Sequence, residues 1–361
     1  MKNLIDKLEK ECKLSFEEWQ ALLNEGFYEC RNGLAMPLDG NSLLAYASNK
    51  ARKIRKEVFG NKIYIRGLIE FTNFCKNDCY YCGLRKSNKE VKRYRLDKET
   101  ILECCKKGYE LGFRTFVLQG GEDLYFNDEI MESIIKDINK NFSDCAITLS
   151  IGEKSAKSYD LLKKAGANRY LLRHETADKS HYEKLHPEDM SFENRIECLL
   201  NLKKLKYQTG CGIMVGSPYQ TIETIAKDFM FMEKLQPEMV GIGPFLPQHA
   251  TPFYDKKGGT LEETLFVLSL TRIMLKKALL PATTALGTVY KGGRELGILC
   301  GANVVMPNLS PLGVRKNYQL YDNKICMGDE AAESVNSLRK TMAKIGYEIV
   351  TERGDSPYFK I

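Results

Sequence analysis

What the chain lacks narrows its function first. No run approaches the roughly 20 apolar residues that a membrane helix needs. The opening residues alternate charge with apolar side chains at helical spacing, without the unbroken apolar core of a secretory signal. These absences predict a cytoplasmic protein with no membrane partner. No basic block is interleaved with stacking aromatics, so nucleic-acid binding is not expected. The formal charge of +7, from 54 basic and 47 acidic side chains, is spread through runs such as 50–62 and 90–98. There basic residues mix with acidic and apolar ones, as on solvated helix faces. The small positive excess suits an anionic substrate. No Pro/Gly/Ser linker and no low-complexity segment interrupts the 361 residues, so a single globular domain is expected. The twelve cysteines would suit a disulfide scaffold only in a much shorter chain. Most, including Cys12, Cys30, Cys145, Cys198 and Cys211, sit singly in apolar stretches and read as small buried hydrophobes.

Residues 1–60 have helical periodicity. Leu4, Leu8 and Cys12 share one face, and Ser15 followed by Glu18 forms a capping-box pattern. Beyond them, strand-like runs are expected at Ile63–Phe71, Thr115–Gln119, Ala146–Ile151, Arg169–Arg173, Gly212–Val215, Met239–Ile242, Ala282–Leu286 and Asn303–Met306. Amphipathic stretches separate most of them: Lys98–Leu111, Ile130–Asn141, Ser155–Ala165, Phe192–Leu205 and Thr221–Leu235. Eight such alternations over about 240 residues predict an α/β fold, a (β/α)8 TIM-type barrel with an N-terminal helical extension. A doubly wound open sheet is the competing architecture. The expected division is 1–60 for the helical extension, 61–325 for the barrel and 326–361 for a C-terminal helix and tail.

Three cysteines stand at Cys75-x3-Cys79-x2-Cys82, directly after the first expected strand. In a barrel that is a loop at the C-terminal face, where barrel enzymes keep their chemistry. A structural zinc site would want a fourth Cys or His at ligand spacing, but Cys104 and Cys105 fall within a helix. A ferredoxin-type carrier would show a fourth cysteine followed by proline. Three thiolates on a four-iron cubane leave one iron open, and an amino acid's amine and carboxylate can chelate it. An electron passed into a bound sulfonium would then break a C–S bond homolytically.

The Cys-x3-Cys-x-aromatic-Cys motif, with Tyr81 before the last cysteine, resembles the hallmark of radical S-adenosylmethionine (SAM) enzymes. Gly120-Gly121-Glu122 at the end of an expected strand resembles the turn that holds the methionyl amine in that family. Gly212-Ile-Met-Val-Gly216 and Gly241-Ile-Gly-Pro-Phe245 resemble the ends of its fifth and sixth strands. Arg173-His-Glu-Thr-Ala177, Ser191-Phe-Glu-Asn-Arg195, Pro281-Ala-Thr-Thr-Ala285, Gly301-Ala-Asn-Val-Val-Met-Pro-Asn308 and Tyr318-Gln-Leu-Tyr321 narrow the likeness. Together these motifs resemble the HydE-type radical SAM enzymes of iron-only (FeFe) hydrogenase maturation, from about residue 60 to 330. Biotin synthase and methylornithine synthase share the barrel and the triad and are the alternative group. A non-catalytic iron–sulfur carrier is the alternative from another class.

The resemblance implies one 4Fe-4S cluster on Cys75, Cys79 and Cys82, its fourth iron open to SAM. It implies cofactor-binding roles for Tyr81, Gly120, Gly121, Glu122, Ser150, Glu175, Arg195, Met214, Gly241 and Gly243. Thr148, Arg173, Thr283, Thr284, Tyr318 and Tyr321 would line a substrate cavity, and no residue would act as an acid or base. His174 is expected to alternate outward from Arg173 and Glu175. The implied reaction cleaves SAM reductively to a 5′-deoxyadenosyl radical, which attacks the sulfur of a cysteine-bound iron carbonyl cyanide precursor. The implied partners are companion hydrogenase maturation proteins and reduced ferredoxin or flavodoxin. Some family members carry a second cluster near the C-terminus; Cys326 stands alone there, so no second cluster is expected.

Overall fold

The alternation of apolar runs and amphipathic stretches is realised as a ring of parallel strands with helices outside it. A computed structural model describes residues 1–325 and 332–359 of the chain. Strands β1 (Lys62–Ile65) and β2 (Gly67–Thr72) follow one another closely. Then come β3 (Thr115–Gly120), β4 (Ala146–Ser150), β5 (Arg169–Leu171), β6 (Gln208–Val215) and β7 (Met239–Pro244). Strands β2 to β7 form one parallel sheet in chain order. All six residues of β2 and all eight of β6 are buried, as expected where both faces of a parallel sheet are covered.

Two further segments close the ring. Residues 279–282 bridge β7 at Met239↔Leu279, and β8 (Val304–Val305) at Pro281↔Val304. The chain after β8 returns to β2 through Leu68↔Asn308, with Leu68 N donating to Pro307 O at 2.9 Å and Leu309 N to Leu68 O at 2.7 Å. The result is an eight-membered TIM-type barrel. A bulge between Glu70 and Thr72 shifts the β2–β3 register where the chain leaves the sheet for the cysteine loop.

The seventh strand differs from expectation. Extended pairing covers 279–282, and the chain is already helical over Thr284–Val289. A short apolar run such as Ala282–Leu286 cannot be told from a helix turn by periodicity. Thr283 is the helix N-cap, a position threonine favours.

Helix starts follow local chemistry. Asp97, Asn127, Ser155, Ser191, Thr221 and Thr260 each accept a first-turn N–H, and the Ser15/Glu18 capping box is formed. Helices Lys2–Glu11, Phe16–Arg31 and Leu43–Phe59 share one apolar core with the barrel. Trp19 stacks on Phe229 with ring centroids 4.1 Å apart. Helix Leu261–Met274 is buried at every residue but Glu262, because Leu43–Phe59 covers its outer side.

The last residues are more than a tail. Strand β9 (Glu348–Val350) pairs with β1. Asp355 accepts from Arg169 and Gln208, and Arg353 O accepts from Thr115 and Arg169. These bonds close the end of the barrel opposite the cysteines. Among the described residues, no helix is long and apolar enough to cross a membrane.

Candidate active site

The C-terminal ends of the strands enclose a cavity of about 340 Å³. Cys75, Cys79 and Cys82 line it together, although β2 contributes none of them directly. Hydrogen bonds from the loop to distant segments hold them. Lys76 N donates to Glu122 O at 2.9 Å, Tyr80 N to Leu185 O at 3.0 Å and Gly83 N to Leu320 O at 2.9 Å. Arg93 gathers the carbonyls of Asn73, Leu84, Arg85 and Asn88. Arg85 forks onto Asp78 at 2.8 and 2.6 Å. Burial raises all three thiol pKa values, that of Cys82 to about 12. A metal or cluster taken up there would have to displace their protons.

Glycines bring the second wall close. A Cβ on Gly121 would lie 2.2 Å from Phe74 O and 2.7 Å from Cys75 Cβ. The end of β3 can therefore press against the cysteine loop only as glycine. Glu122 accepts from Glu153 N at 3.0 Å and lies 3.2 Å from Lys76 Nζ.

Tyr81 is fixed from behind. His186 Nδ1 donates to Tyr182 O at 2.9 Å, so its Nε2 accepts from Tyr81 OH at 3.2 Å. Burial, with Arg195 nearby, lowers the His186 pKa to about 3, which keeps the ring neutral and this tautomer in place.

Past β5, Arg173 and Glu175 line the cavity, and His174 is fully buried on the other side. Glu175 has φ 63°, a left-handed conformation uncommon outside glycine. It is held by its own N–H on Gly212 O at 3.0 Å, by Gly212 N on His174 Nδ1 at 3.2 Å, and by Ala177 N on Asp228. His174 Nε2 lies 3.4 Å from that carboxylate. Arg195 is buried, with Nε on Glu153 and Nη1 on Arg173 O at 2.8 Å.

Of the residues singled out in the sequence, the cavity brings together the three cysteines, Tyr81, Gly120, Gly121, Glu122, Ser150, Arg173, Glu175, Arg195, Met214, Gly243, Thr283, Thr284, Tyr318 and Tyr321. Thr148 and Gly241 do not line it. They lie two residues earlier on β4 and β7 than Ser150 and Gly243, one layer deeper in the barrel. Cys326 lies outside the described residues. Sequence reading missed Glu70, Gln119, Lys324 and Met306, all in the cavity wall, and His186 behind Tyr81. No local pattern marks them.

The interior is built for a polar ligand. Thr148 Oγ1, Thr283 Oγ1, Glu175 Oε2, and Arg173 Nε and Nη2 are buried without a hydrogen bond. Arg173 Nη2 lies 3.1 Å from Glu175 Oε2, an ion-pair distance without hydrogen-bond alignment. Orphaned buried polar atoms are costly, so a bound molecule is their natural partner. Among the described residues, no three His, Cys, Asp or Glu side chains converge on a single metal ion. A cubane instead spreads its thiolates over separate irons, and three sulfurs around one cavity fit that.

Three thiols on the loop after β2, at the mouth of a cavity with orphaned polar atoms, define a barrel enzyme of the iron–sulfur and small-molecule kind. Comparison with known proteins refines the class. The family model "Radical SAM superfamily" matches residues 69–232. The [FeFe] hydrogenase maturase subunit HydE of Thermotoga maritima is 46% identical over 296 residues, 82% of this chain and 84% of that one. The 3-methylornithine synthase of Methanosarcina acetivorans is 30% identical over 82% of this chain and 83% of its own. A crystal structure of methylornithine synthase (PylB) superposes with a TM-score of 0.79 at 26% identity, covering 96% of this chain and 97% of that one. The chain belongs to the radical SAM superfamily, as an enzyme homologous to the HydE hydrogenase maturase. The family implies a 4Fe-4S cluster and SAM.

Proposed function

We propose that this enzyme acts in maturation of the FeFe-hydrogenase active site, on the sulfur of a cysteine-bound iron carbonyl cyanide precursor. The observation that carries the reading is a set of buried polar atoms without hydrogen bonds, Arg173 Nε and Thr283 Oγ1 on residues of the cavity wall and Thr148 Oγ1 one layer deeper. A compact anion with several acceptors would satisfy them. The 46% identity to a named hydrogenase maturase supports the same substrate class.

A 4Fe-4S cluster on Cys75, Cys79 and Cys82 would, with SAM, supply adenosyl-radical chemistry. Tyr81, Gly120, Gly121, Glu122, Ser150, Met214 and Gly243 would shape the cofactor side of the cavity, with Gly241 one layer below Gly243. Glu175 can accept from the methionyl amine or ribose hydroxyls. Arg195, with Nε on Glu153 and Nη1 on Arg173 O, has Nη2 left for the carboxylate, a charge-assisted contact. Thr284, Tyr318 and Tyr321 would hold the substrate with Arg173 and Thr283, and Thr148 would back them from one layer deeper. Every carboxylate lining the cavity is already beside a cation: Glu70 with Lys324, Glu122 with Lys76, Glu175 with Arg173. That favours orientation over acid–base work. Tyr318, 2% exposed, helps keep water from the reacting atoms. One cluster, companion maturation proteins and a reduced ferredoxin or flavodoxin complete the proposal.

The test is anaerobic reconstitution followed by dithionite, SAM and a synthetic cysteine-bound iron dicarbonyl cyanide. An adenosylated product is expected. Its absence, with turnover of a methylornithine-synthase or biotin-synthase substrate instead, would overturn the narrow assignment. A Cys79→Ser protein that still assembled the cluster and made 5′-deoxyadenosine at the normal rate would overturn the broader one.

A further inference from the structure

Lys324 enters the barrel from the segment after β8 that also brings Tyr318 and Tyr321 to the cavity. Its ammonium pairs with Glu70 of β2, donates to Tyr318 O at 3.0 Å, and lies 4.7 Å from the centre of the Tyr318 ring. The Lys324 side chain is 7% exposed and that of Glu70 fully buried, yet both line the cavity.

The two partners are unequally committed. Glu70 gives one oxygen to Lys324 and the other to Asn308 Nδ2 at 2.8 Å. Its backbone N–H is fixed on Ser310 Oγ at 2.8 Å. An ammonium carries three N–H donors, and the described residues accept two of them. A buried ion pair is a weak stabilising device, because desolvation offsets its attraction. In the wall of a ligand cavity it has a better use.

We propose that Lys324 is a substrate-binding residue. Its remaining N–H takes an anionic acceptor of the small molecule in the barrel, while Glu70 holds the ammonium in register. Arg173, whose Nε and Nη2 lack hydrogen bonds, is a second cation in the same cavity. The proposal rests on the reading of the cavity as the site of a cysteine-bound iron carbonyl cyanide. The acceptors on such a molecule are the cysteine carboxylate and the cyanide nitrogen.

The experiment measures equilibrium binding of synthetic cysteine–iron dicarbonyl cyanide to cluster-loaded protein without reductant, for the wild type, K324M, E70Q and the double variant E70Q/K324M. Loss of a hydrogen bond to a charged group predicts affinity weakened by about ten- to a hundredfold in K324M and in the double variant. E70Q keeps the ammonium and should stay within about threefold of wild type, the scale of a neutral hydrogen bond. SAM affinity, measured alongside, should change in none of them. A purely structural pair gives another pattern: E70Q and K324M equally impaired, and the double variant restored. That pattern overturns the proposal. If K324M fails to fold with Glu70 unpaired, the double variant leaves no buried lone charge and carries the test.

Wild-type protein that binds the complex, with K324M and the double variant binding as well, refutes this inference alone. Wild-type protein that does not bind refutes the substrate reading and this inference together. The methyl ester of the cysteine complex separates the two acceptors. Weakened binding to wild type assigns the contact to the carboxylate, and unchanged binding assigns it to the cyanide.

Discussion

Substituting Gly121 with alanine tests whether the end of β3 positions the cysteine loop. The new Cβ would lie 2.2 Å from Phe74 O, 2.7 Å from Cys75 Cβ and 3.0 Å from Phe74 C. Carbon contacts settle at about 3.5 Å or more, so the two backbones must part by roughly 1 Å. Neither side yields easily. Phe74 N is held on Thr72 Oγ1 at 3.2 Å, Lys76 N on Glu122 O at 2.9 Å, and Asn73 O by Arg93. Overpacking of this kind costs about 1–3 kcal/mol. The displacement falls on Cys75 and leaves Cys79 and Cys82, anchored through Tyr80 and Gly83 to other segments, where they are. Gly121→Ala protein should therefore fold with reduced urea stability and retain much less iron and sulfide after anaerobic reconstitution. Gly120→Ala is the control, because its Cβ meets chiefly the Thr72 methyl, at 2.6 Å, and should lose less iron. Full iron retention in Gly121→Ala, with a stability loss under about 0.5 kcal/mol, would refute the reasoning.

Three further outcomes are expected. Thr283→Val removes a buried hydroxyl without a hydrogen bond. Ligand-free protein should melt at the same or a higher temperature, while KM for the iron complex rises about tenfold; a lower melting temperature with unchanged KM contradicts this. Asp228→Ala takes the carboxylate away from Nε2 of fully buried His174 and frees Ala177 N. It should cost about 1–3 kcal/mol in urea denaturation, and a loss under about 0.5 kcal/mol would show that the turn bearing Glu175 is held elsewhere. His249, hydrogen-bonded to Asp322 and to Glu90, has its pKa raised by those partners. A raised folded-state value means that the stabilisation is complete below the unfolded imidazole value and is lost as pH rises through the folded one. The wild-type melting temperature should decline across that window, and His249→Asn should lack that component; parallel curves would exclude the clasp.

Much of the barrel is legible in the chain because its causes are local. Helices start where Asp97, Asn127, Ser155, Ser191 and Thr221 cap them, as side-chain chemistry dictates. Strands such as β3 and β4 lie where the apolar runs stand between those helices. The seventh strand was misplaced because Ala282–Leu286 suits a strand or a helix turn equally, and pairing with Met239 and Val304 decides between them.

The site divides along the same line. The spacing of Cys75, Cys79 and Cys82 is legible in the sequence because all three stand in one short stretch of chain. Glu70 and Lys324 stand 254 positions apart, and Tyr81 and His186 stand 105 apart; nothing in either neighbourhood announces the other. Arg353 and Asp355 resemble a loose end until the barrel presents Arg169 and Gln208 to them. By itself the sequence determined the alternation, the caps and the three-thiol motif, since each depends on residues within a few turns of chain. Tertiary closure decided which buried charges meet, since a buried charge must be matched in space whatever its distance along the chain.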